Sequence, residues 1–455
     1  MVQSALCDVR CPTTVDEIQS VFSEAAQTGK TIGLRGAGNS YGDPSLNDAG
    51  ILLDLTRMNR ILSYDKIEGV IDVEAGVTLR QVWEHVLADG WWPSVVSGTM
   101  KTTIGGGAAM NIHGKNCFKV GTIGDHILEF ELLTADGRRI TCSREQDSDV
   151  FHGAIGGIGV LGVFTRLRMS LKRVHSGLLR VEAASVGGFE ETFAWFDEHR
   201  ERCDYMVGWH DGLASGHHLG RGLIHAAADL AEGEDSTPEV SMALENQVLP
   251  SRFLWVIPKA WLWLGLWVFL SKLGMRLLNA AKFRAGKREA RQGATLSSHA
   301  AFHFLLDYVP NWKFAYKPGG LIQYQSFLPN KEAAAACRAL IEKTQEHGIP
   351  PYLVVTKRHR ADPFLMTHGL YGISMALDIR VTRSNADRVR VMTKEMDDIV
   401  LAAGGRFYFA KDSVLRPEVM QQAWPSESVA TFRALKQRLD PTSLLTSDLY
   451  RRVFQ

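Results

Sequence analysis

Two glycine-rich segments and one lysine are the residues of this chain best suited to chemistry. The first segment is Arg35-Gly36-Ala37-Gly38-Asn39-Ser40-Tyr41-Gly42-Asp43. The second runs from Ser97 and Gly98 through Thr103, Ile104, Gly105, Gly106 and Gly107 to His113, Gly114, Lys115 and Asn116. A dinucleotide pyrophosphate needs backbone N–H groups converging on it, and the chain comes that close only where Cβ atoms are missing. A single glycine loop reads as an ordinary turn. Two loops at this spacing, with a hairpin and a third glycine cluster after them, point to nucleotide binding. The third cluster, Gly157-Ile-Gly-Val-Leu-Gly162, satisfies GxGxxG, but a helix-like segment (149–155) precedes it and a strand-like one (163–171) follows. A Rossmann fingerprint needs the reverse order, so this is not a nicotinamide site. The lysine is Lys411, in Phe409-Ala-Lys-Asp-Ser413; taken alone, a lysine in such a segment is more often a solvated surface group, and only the context of its motif reverses that. Beside an electron acceptor its ammonium could stabilise developing negative charge, or, held near neutrality, it could accept a hydroxyl proton.

These residues need elements to position them. Thr14-Val-Asp-Glu17 reads as a capping box opening a helix whose apolar face is Val15, Ile18, Val21, Phe22 and Ala25. Strands are expected at 31–34, 50–55 and 70–73, a helix at 79–88, and a hairpin of 127–134 with 139–142 about Asp136-Gly137. From about residue 177 the character changes. Segments 321–328, 353–356 and 374–381 resemble strands, and 331–347 and 385–403 amphipathic helices, which suggests a second α+β layer. Residues 229–246 are polar and acidic and read as a loop.

At 455 residues two domains are the default expectation. A hydrophobic content of 45% and a charged content of 22% suit a globular protein, and a net charge of +1 gives no global attraction to nucleic acid. Six cysteines without a CxxC pair suggest reduced thiols and no metal site, Cys7 and Cys11 included. The start, MVQSALCDVR, lacks a basic region followed by an apolar run, so no secretory leader is expected. The most hydrophobic stretch, 253–270, holds Trp255, Trp261, Trp263 and Trp267. The basic residues Lys272, Arg276, Lys282, Arg284, Lys287, Arg288 and Arg291 follow it. Spanning a bilayer takes about 20 apolar residues, and this run is shorter and interrupted by Pro258 and Lys259. The expectation is peripheral binding of residues 253–291 to an anionic membrane, with a buried core helix as the competing reading.

The motifs GNSYGD, GTMKTTIGGGAAMNIHGKN, LLTADG, GGLIQYQ and AKDS, with the ending LLTSDLYRR, resemble the vanillyl-alcohol-oxidase (PCMH) type of FAD oxidoreductase. Within it they are similar to the decaprenylphosphoryl-β-D-ribose 2′-oxidase family. The likeness covers nearly the whole chain and is weak from about 177 to 300. It implies an α+β fold: a two-subdomain FAD-binding domain from 1–176 and 405–455, with an inserted α+β substrate domain, an antiparallel sheet covered by helices, at 177–404. It also implies FAD contacts at Gly36 to Gly42, Gly98, Thr103 to Gly106, His113 to Asn116, Phe164 and Tyr408. Lys411 falls at the family's essential lysine. His113 is a candidate proton acceptor, although a lone histidine is more often structural. Gln323, Gln325, Lys357 and Ser374 match substrate-domain positions; for Lys357 a solvent-facing strand position is the competing reading.

Many relatives bond the flavin to a histidine where this chain has Asn39, and others to a cysteine near the position of Lys101. The resemblance therefore implies non-covalent FAD. Ser374 and Ala376 stand where the family has asparagine and cysteine, so the pocket differs in detail. The implied reaction is oxidation of the 2-hydroxyl of a polyprenyl-phosphate-linked pentose. It is the first half of a 2-epimerisation that a short-chain reductase completes, supplying arabinose donors for cell-wall synthesis on the cytoplasmic face of the inner membrane. The alternatives are a soluble alditol or aldonolactone oxidase, and a non-catalytic flavoprotein partner.

Overall fold

The computed structural model describes residues 4–249, 252–253 and 257–455. Its first layer is a parallel sheet of Asp8–Arg10, Ile51–Asp54 and Ile32–Arg35, in that spatial order. Helix Val15–Thr28 lays Ile18, Val21, Phe22 and Ala25 on it, because positions three and four apart share one helix face. Thr14 caps that helix by accepting from Glu17 N at 3.2 Å. The expected reciprocal bond is displaced by one residue, for the Glu17 carboxylate takes Thr13 N at 2.6 Å. The C-terminal segment closes this layer, with Ile32 N bonded to Leu444 O and Thr446 N to Ile32 O.

The second layer is antiparallel. Ile61–Asp65, Val70–Glu74, Val163–Arg173, Ile127–Leu133 and Arg139–Ser143 lie side by side, and Trp91–Pro93 pairs with the far end of Val163–Arg173. The hairpin at Asp136-Gly137 forms as its sequence requires, with Gly137 at φ 84°. Glycines 157–162 lie between helix Ser148–Ala154 and strand Val163–Arg173, the order opposite to a Rossmann turn.

The third sheet has eight antiparallel strands: Thr295–Ser298, Leu178–Val186, Gly222–Asp229, Tyr205–His210, Leu353–His359, Gly372–Val381, Gly320–Pro329 and Arg406–Phe407. Side chains alternate between its faces. Tyr324 turns to helix Ala386–Ala402, where its hydroxyl bonds Asp397 at 3.0 Å. Gln323 and Gln325 turn the other way, toward the first two layers. The fold is thus α+β, with an antiparallel sheet covered by helices. Region 229–246 is more ordered than its polarity suggests. Helix Pro238–Met242 lies within it and helix Leu244–Gln247 closes it, and just past its end buried Gln247 donates to Gly177 O and Ser241 O while accepting from Ala300 N. Polar side chains here satisfy backbone groups that would otherwise be buried unpaired.

In the apolar segment, Leu262–Phe269 and Lys272–Glu289 are helices. The second packs Met275, Asn279 and Gly286 inward. Trp261 is 66% exposed, Trp267 50%, Leu273 69% and Leu277 60%, so this is not a buried core helix. Trp255 lies outside the described residues. No described helix is long and apolar enough to cross a membrane.

Candidate active site

The layers meet around a cavity of about 1010 Å³, at the upper end of small-molecule pockets and large enough for a dinucleotide and a substrate together. One wall is the glycine loop after strand Ile32–Arg35. Gly36, Ala37, Gly38, Asn39, Ser40 and Tyr41 all line the cavity. Gly38 has φ 62°, and among the described residues no hydrogen bond engages the N–H groups of residues 36–40. The side-chain Nδ2 of Asn39 and the hydroxyl of Tyr41 are buried and also without partners there. A run of free amides about a left-handed glycine is an anion nest, and these residues fit the pyrophosphate of FAD.

The second loop plays a different part. Ile104 N is bonded to Val77 O, Gly105 N to Ala75 O, Gly106 N to Thr103 Oγ1 and Gly107 N to Thr103 O. Its amides are spent within the protein. Its glycines serve close packing instead: a Cβ on Gly36 would come within 2.2 Å of Thr103 Oγ1, and one on Gly105 within 2.6 Å of the Ala75 methyl. Gly98, Thr103, Gly105, Gly106, His113, Lys115, Phe164 and Tyr408 line the cavity.

Four of the expected contacts do not. Gly42 backs onto Asp412, whose carbonyl oxygen would lie 1.6 Å from an added Cβ, and Ile104 is buried in the core. Gly114 faces Asn116, and Asn116 Nδ2 donates to Ser94 O at 2.7 Å. These four hold the wall from behind. Lys115 directs its ammonium to the carbonyls of Phe302 and His303, at the end of helix His299–His303.

The substrate-side wall follows from strand register. Gln323 pairs with Asp378 and Gln325 with Ala376. Val355 also opposes Ala376, and Lys357 opposes Ser374. Gln323, Gln325, Val355, Lys357, Ser374 and Ala376 therefore share one face, and all line the cavity. Lys357 is half-buried on this wall, not solvent-facing, and burial lowers its pKa. His113 is buried beneath it among His359, His368, Phe327 and Tyr408. Gln325 Nε2 donates to His113 Nε2 at 2.9 Å, while His113 Nδ1 has no partner among the described residues. Burial, reinforced by Lys357 and the neighbouring histidines, holds its pKa well below the usual histidine value, so the ring is neutral. Donor atoms of His113, Cys117 and His359 lie within 4.8 Å of one another. Each residue already has a protein partner: Gln325, the Gly114 carbonyl and Ser374.

Lys411 enters from the turn after the edge strand Arg406–Phe407, its backbone N–H bonded to Tyr408 O. Its Nζ lies 3.6 Å from the centre of the Tyr41 ring. Burial pushes it down to about 7; Lys313 and Lys357 add to the effect and Asp378 opposes it. Asp378 is raised to about 6 by burial, against the Gln323 hydrogen bond and the lysines. Asp378 and Lys313 are not among the residues that motif or resemblance singled out. Asp378 could have been found by continuing the alternation Ser374, Ala376, Asp378; Lys313 lies in an irregular connector, where no periodicity points to it. Ile158 and Gly159, in the rejected GxGxxG segment, also line the cavity. So does Lys282, expected on the membrane face, with its Nζ 4.3 Å from the Trp209 ring centre.

Residues 8–143 match the FAD binding domain family. With the two loops and the cavity between them, this defines the class: the protein is an FAD-dependent oxidoreductase with a PCMH-type FAD-binding domain. Over 444 residues, 96% of this chain and 92% of that protein, it is 28% identical to the decaprenylphosphoryl-beta-D-ribose oxidase of Mycolicibacterium smegmatis. It is 29% identical over 195 residues to mouse L-gulonolactone oxidase, 43% of each chain. To cytokinin dehydrogenase 2 of Arabidopsis thaliana it is 27% identical over 165 residues, 36% of this chain and 33% of that protein.

The depressed Lys411 has a consequence for stability. The folded ammonium loses its proton near pH 7 and the unfolded one near the ordinary value of 10.5. Between these values the unfolded chain binds more protons, so folding stability rises with pH across that window, and below it the burial cost is carried in full. In FAD-free protein, Lys411→Met should therefore be more stable than wild type at about pH 6.5, with the gap narrowing steadily toward about pH 9.5. Urea denaturation at both ends checks this, and a constant gap would contradict it.

Proposed function

We propose that the protein oxidises the 2-hydroxyl of a pentose carried on a polyprenyl phosphate to a ketone. This would be the first half of a 2-epimerisation that a separate short-chain reductase completes, with FAD bound non-covalently. The observation that carries this reading is the charge of the cavity. Eight lysine and arginine side chains line it against the carboxylates of Glu84 and Asp307, and both carboxylates are already engaged, by Arg80 and by Thr99 with Met100 N. Burial holds several of these lysines below their ordinary pKa, and an anionic ligand beside them would restore their charge, so the excess of basic groups favours a substrate that is itself anionic. Near-complete overlap with a ribose oxidase supports the sugar; the lactone oxidase likeness covers less than half of the chain.

Bound FAD supplies a two-electron acceptor for hydride. Lys411, with a pKa of about 7, can take the proton of a sugar hydroxyl or hold positive charge beside the cofactor. Gln325, Ser374 and Lys357 offer hydrogen bonds from one wall to the sugar hydroxyls, and the aromatic surround of His113 keeps water from that end. Asn39 and Lys101, at the positions where other members attach flavin, offer neither imidazole nor thiol, which supports a releasable cofactor. The test is anaerobic mixing of the FAD-loaded protein with a panel of polyprenyl-phosphate pentoses, free pentoses and aldonolactones. Bleaching by the lipid-linked pentose is expected, and bleaching by lactone alone would favour the soluble-oxidase reading. Lys411→Ala should keep its FAD and lose on the order of 10²-fold in reduction rate. Acid precipitation should leave the yellow colour in the supernatant, and a yellow washed pellet would refute non-covalent binding.

The same reading includes peripheral docking on an anionic membrane at the cytoplasmic face. Trp261, Leu264, Leu273 and Leu277 form an exposed apolar surface, and Lys272, Arg276, Arg284, Lys287, Arg288 and Arg291 stand exposed beside it without ion-pair partners among the described residues. Each such cation adds roughly 1 kcal/mol near an anionic surface. Trp263 and Trp267 are poor choices for mutation because they brace a neighbouring segment. Trp261→Ser/Leu273→Ser/Leu277→Ser should abolish co-sedimentation with phosphatidylserine vesicles at low salt while leaving FAD bound. Wild type that stays in the supernatant would remove docking from the proposal.

A further inference from the structure

Between the apolar surface and the flavin loop lies the connector Leu305–Asp307 to Trp312–Tyr316, two turns of 3₁₀ helix. One end is fixed to the second FAD loop. Asp307 accepts from Thr99 Oγ1 and Met100 N, both at 2.8 Å, and Leu306 N donates to Gly98 O. The other end is fixed to the apolar helix Leu262–Phe269. Trp267 Nε1 donates to Lys317 O at 2.8 Å, and Trp263 meets Phe314 edge-on with ring centres 6.0 Å apart. Lys313 is carried between these two attachments.

Its Nζ lies 4.2 Å from the centre of the same Tyr41 ring that Lys411 approaches to 3.6 Å. Two ammonium groups thus share one ring, and the carboxylate that faces them, Asp378, is held by Gln323. Neither lysine makes a salt bridge among the described residues. Unpaired like charges this close are unfavourable unless an anion joins them. Lys411, Tyr41 of the flavin loop, Lys313 and the apolar helix packed on its connector thus form one chain of contacts. An amphiphile whose sugar reaches the flavin and whose tail lies in that apolar surface has its phosphate at the level of Lys313.

We propose that Lys313 is the phosphate-binding residue of the active site, recognising the phosphate ester of an amphiphilic substrate. This rests on the lipid-linked reading above, but its test uses no sugar and no turnover. Calorimetric titration of the FAD-loaded protein would use farnesyl phosphate, farnesol and inorganic phosphate, with wild type, Lys313→Gln and Lys313→Arg compared. A hydrogen bond to a charged group contributes about 1.5–3 kcal/mol, so Lys313→Gln should bind farnesyl phosphate about 10- to 100-fold more weakly. Its affinity for farnesol should be unchanged, and Lys313→Arg should retain most of the phosphate affinity. Wild-type affinity for farnesyl phosphate in Lys313→Gln would overturn the assignment, as would equal losses for farnesyl phosphate and farnesol. Inorganic phosphate binding as tightly as farnesyl phosphate would overturn the amphiphile and leave a simple anion site. Failure of the sugar panel with success here would sink the proposed oxidation without touching Lys313.

Discussion

The guanidinium of Arg452 is the joint on which the site depends. It donates to both oxygens of Asp43, at 2.7 and 2.9 Å, to Asp412 Oδ2 at 2.7 Å and to Leu415 O at 2.6 Å. Asp43 ends the first glycine loop and Asp412 follows Lys411, so one side chain from the last helix, Asp448–Phe454, fixes the nest and the lysine relative to each other. Asp412 Oδ1 in turn accepts from Val414 N and Leu415 N, which shapes the lysine's turn. With Asp43 almost fully buried, losing Arg452 would strand its charge at a cost of about 3–5 kcal/mol. The tight contact of Gly42 with Asp412 belongs to the same joint, since any Cβ there would push the loop from the turn.

Around this joint the two halves divide the work by the kind of polar group each can offer. The flavin side contributes backbone amides, because a loop through a left-handed glycine leaves them free and convergent. The large sheet contributes side chains, because its alternation sends every second residue of three neighbouring strands to one face. Register then decides which of them meet: a slip of one residue in 372–381 would replace Ser374, Ala376 and Asp378 by Ile373, Met375 and Leu377, now core residues.

The local periodicities were legible in the sequence. The hairpin, the strands of the substrate layer and the two long amphipathic helices lie where period and turn chemistry put them, and the resemblance supplied Lys411, His113 and the polar wall. What escaped was set by distant partners. Glu17 chose Thr13 over Thr14, and residues 229–246 are ordered by the bonds of Gln247 to Gly177 and Ala300. The second loop carries glycines for packing against Ala75 and Thr103, which no local pattern separates from glycines kept for a phosphate. Lys282 belongs to a basic run by sequence, yet helical phase turns it toward Trp209. Lys313 sits in a connector whose path is fixed only by Asp307 and Trp267.

Two features of the free protein are costly on their own terms. One is a cavity whose lysines and arginines outnumber their counter-ions; the other is a helix pair that leaves tryptophan and leucine in water. Sequences fold best when every local choice agrees with the global structure, and departures from that agreement concentrate where function requires them. Here both departures flank one connector: Trp263 and Trp267 brace its outer side, while Lys313 and Trp312 lie against Tyr41 on its inner side. A small water-soluble substrate would account for the cations but not for the exposed tryptophan, and a membrane anchor alone would account for the tryptophan but not for the cations. A ligand with an apolar tail and an anionic head, as proposed, would offset both costs at once, and the connector is where its head and tail would meet.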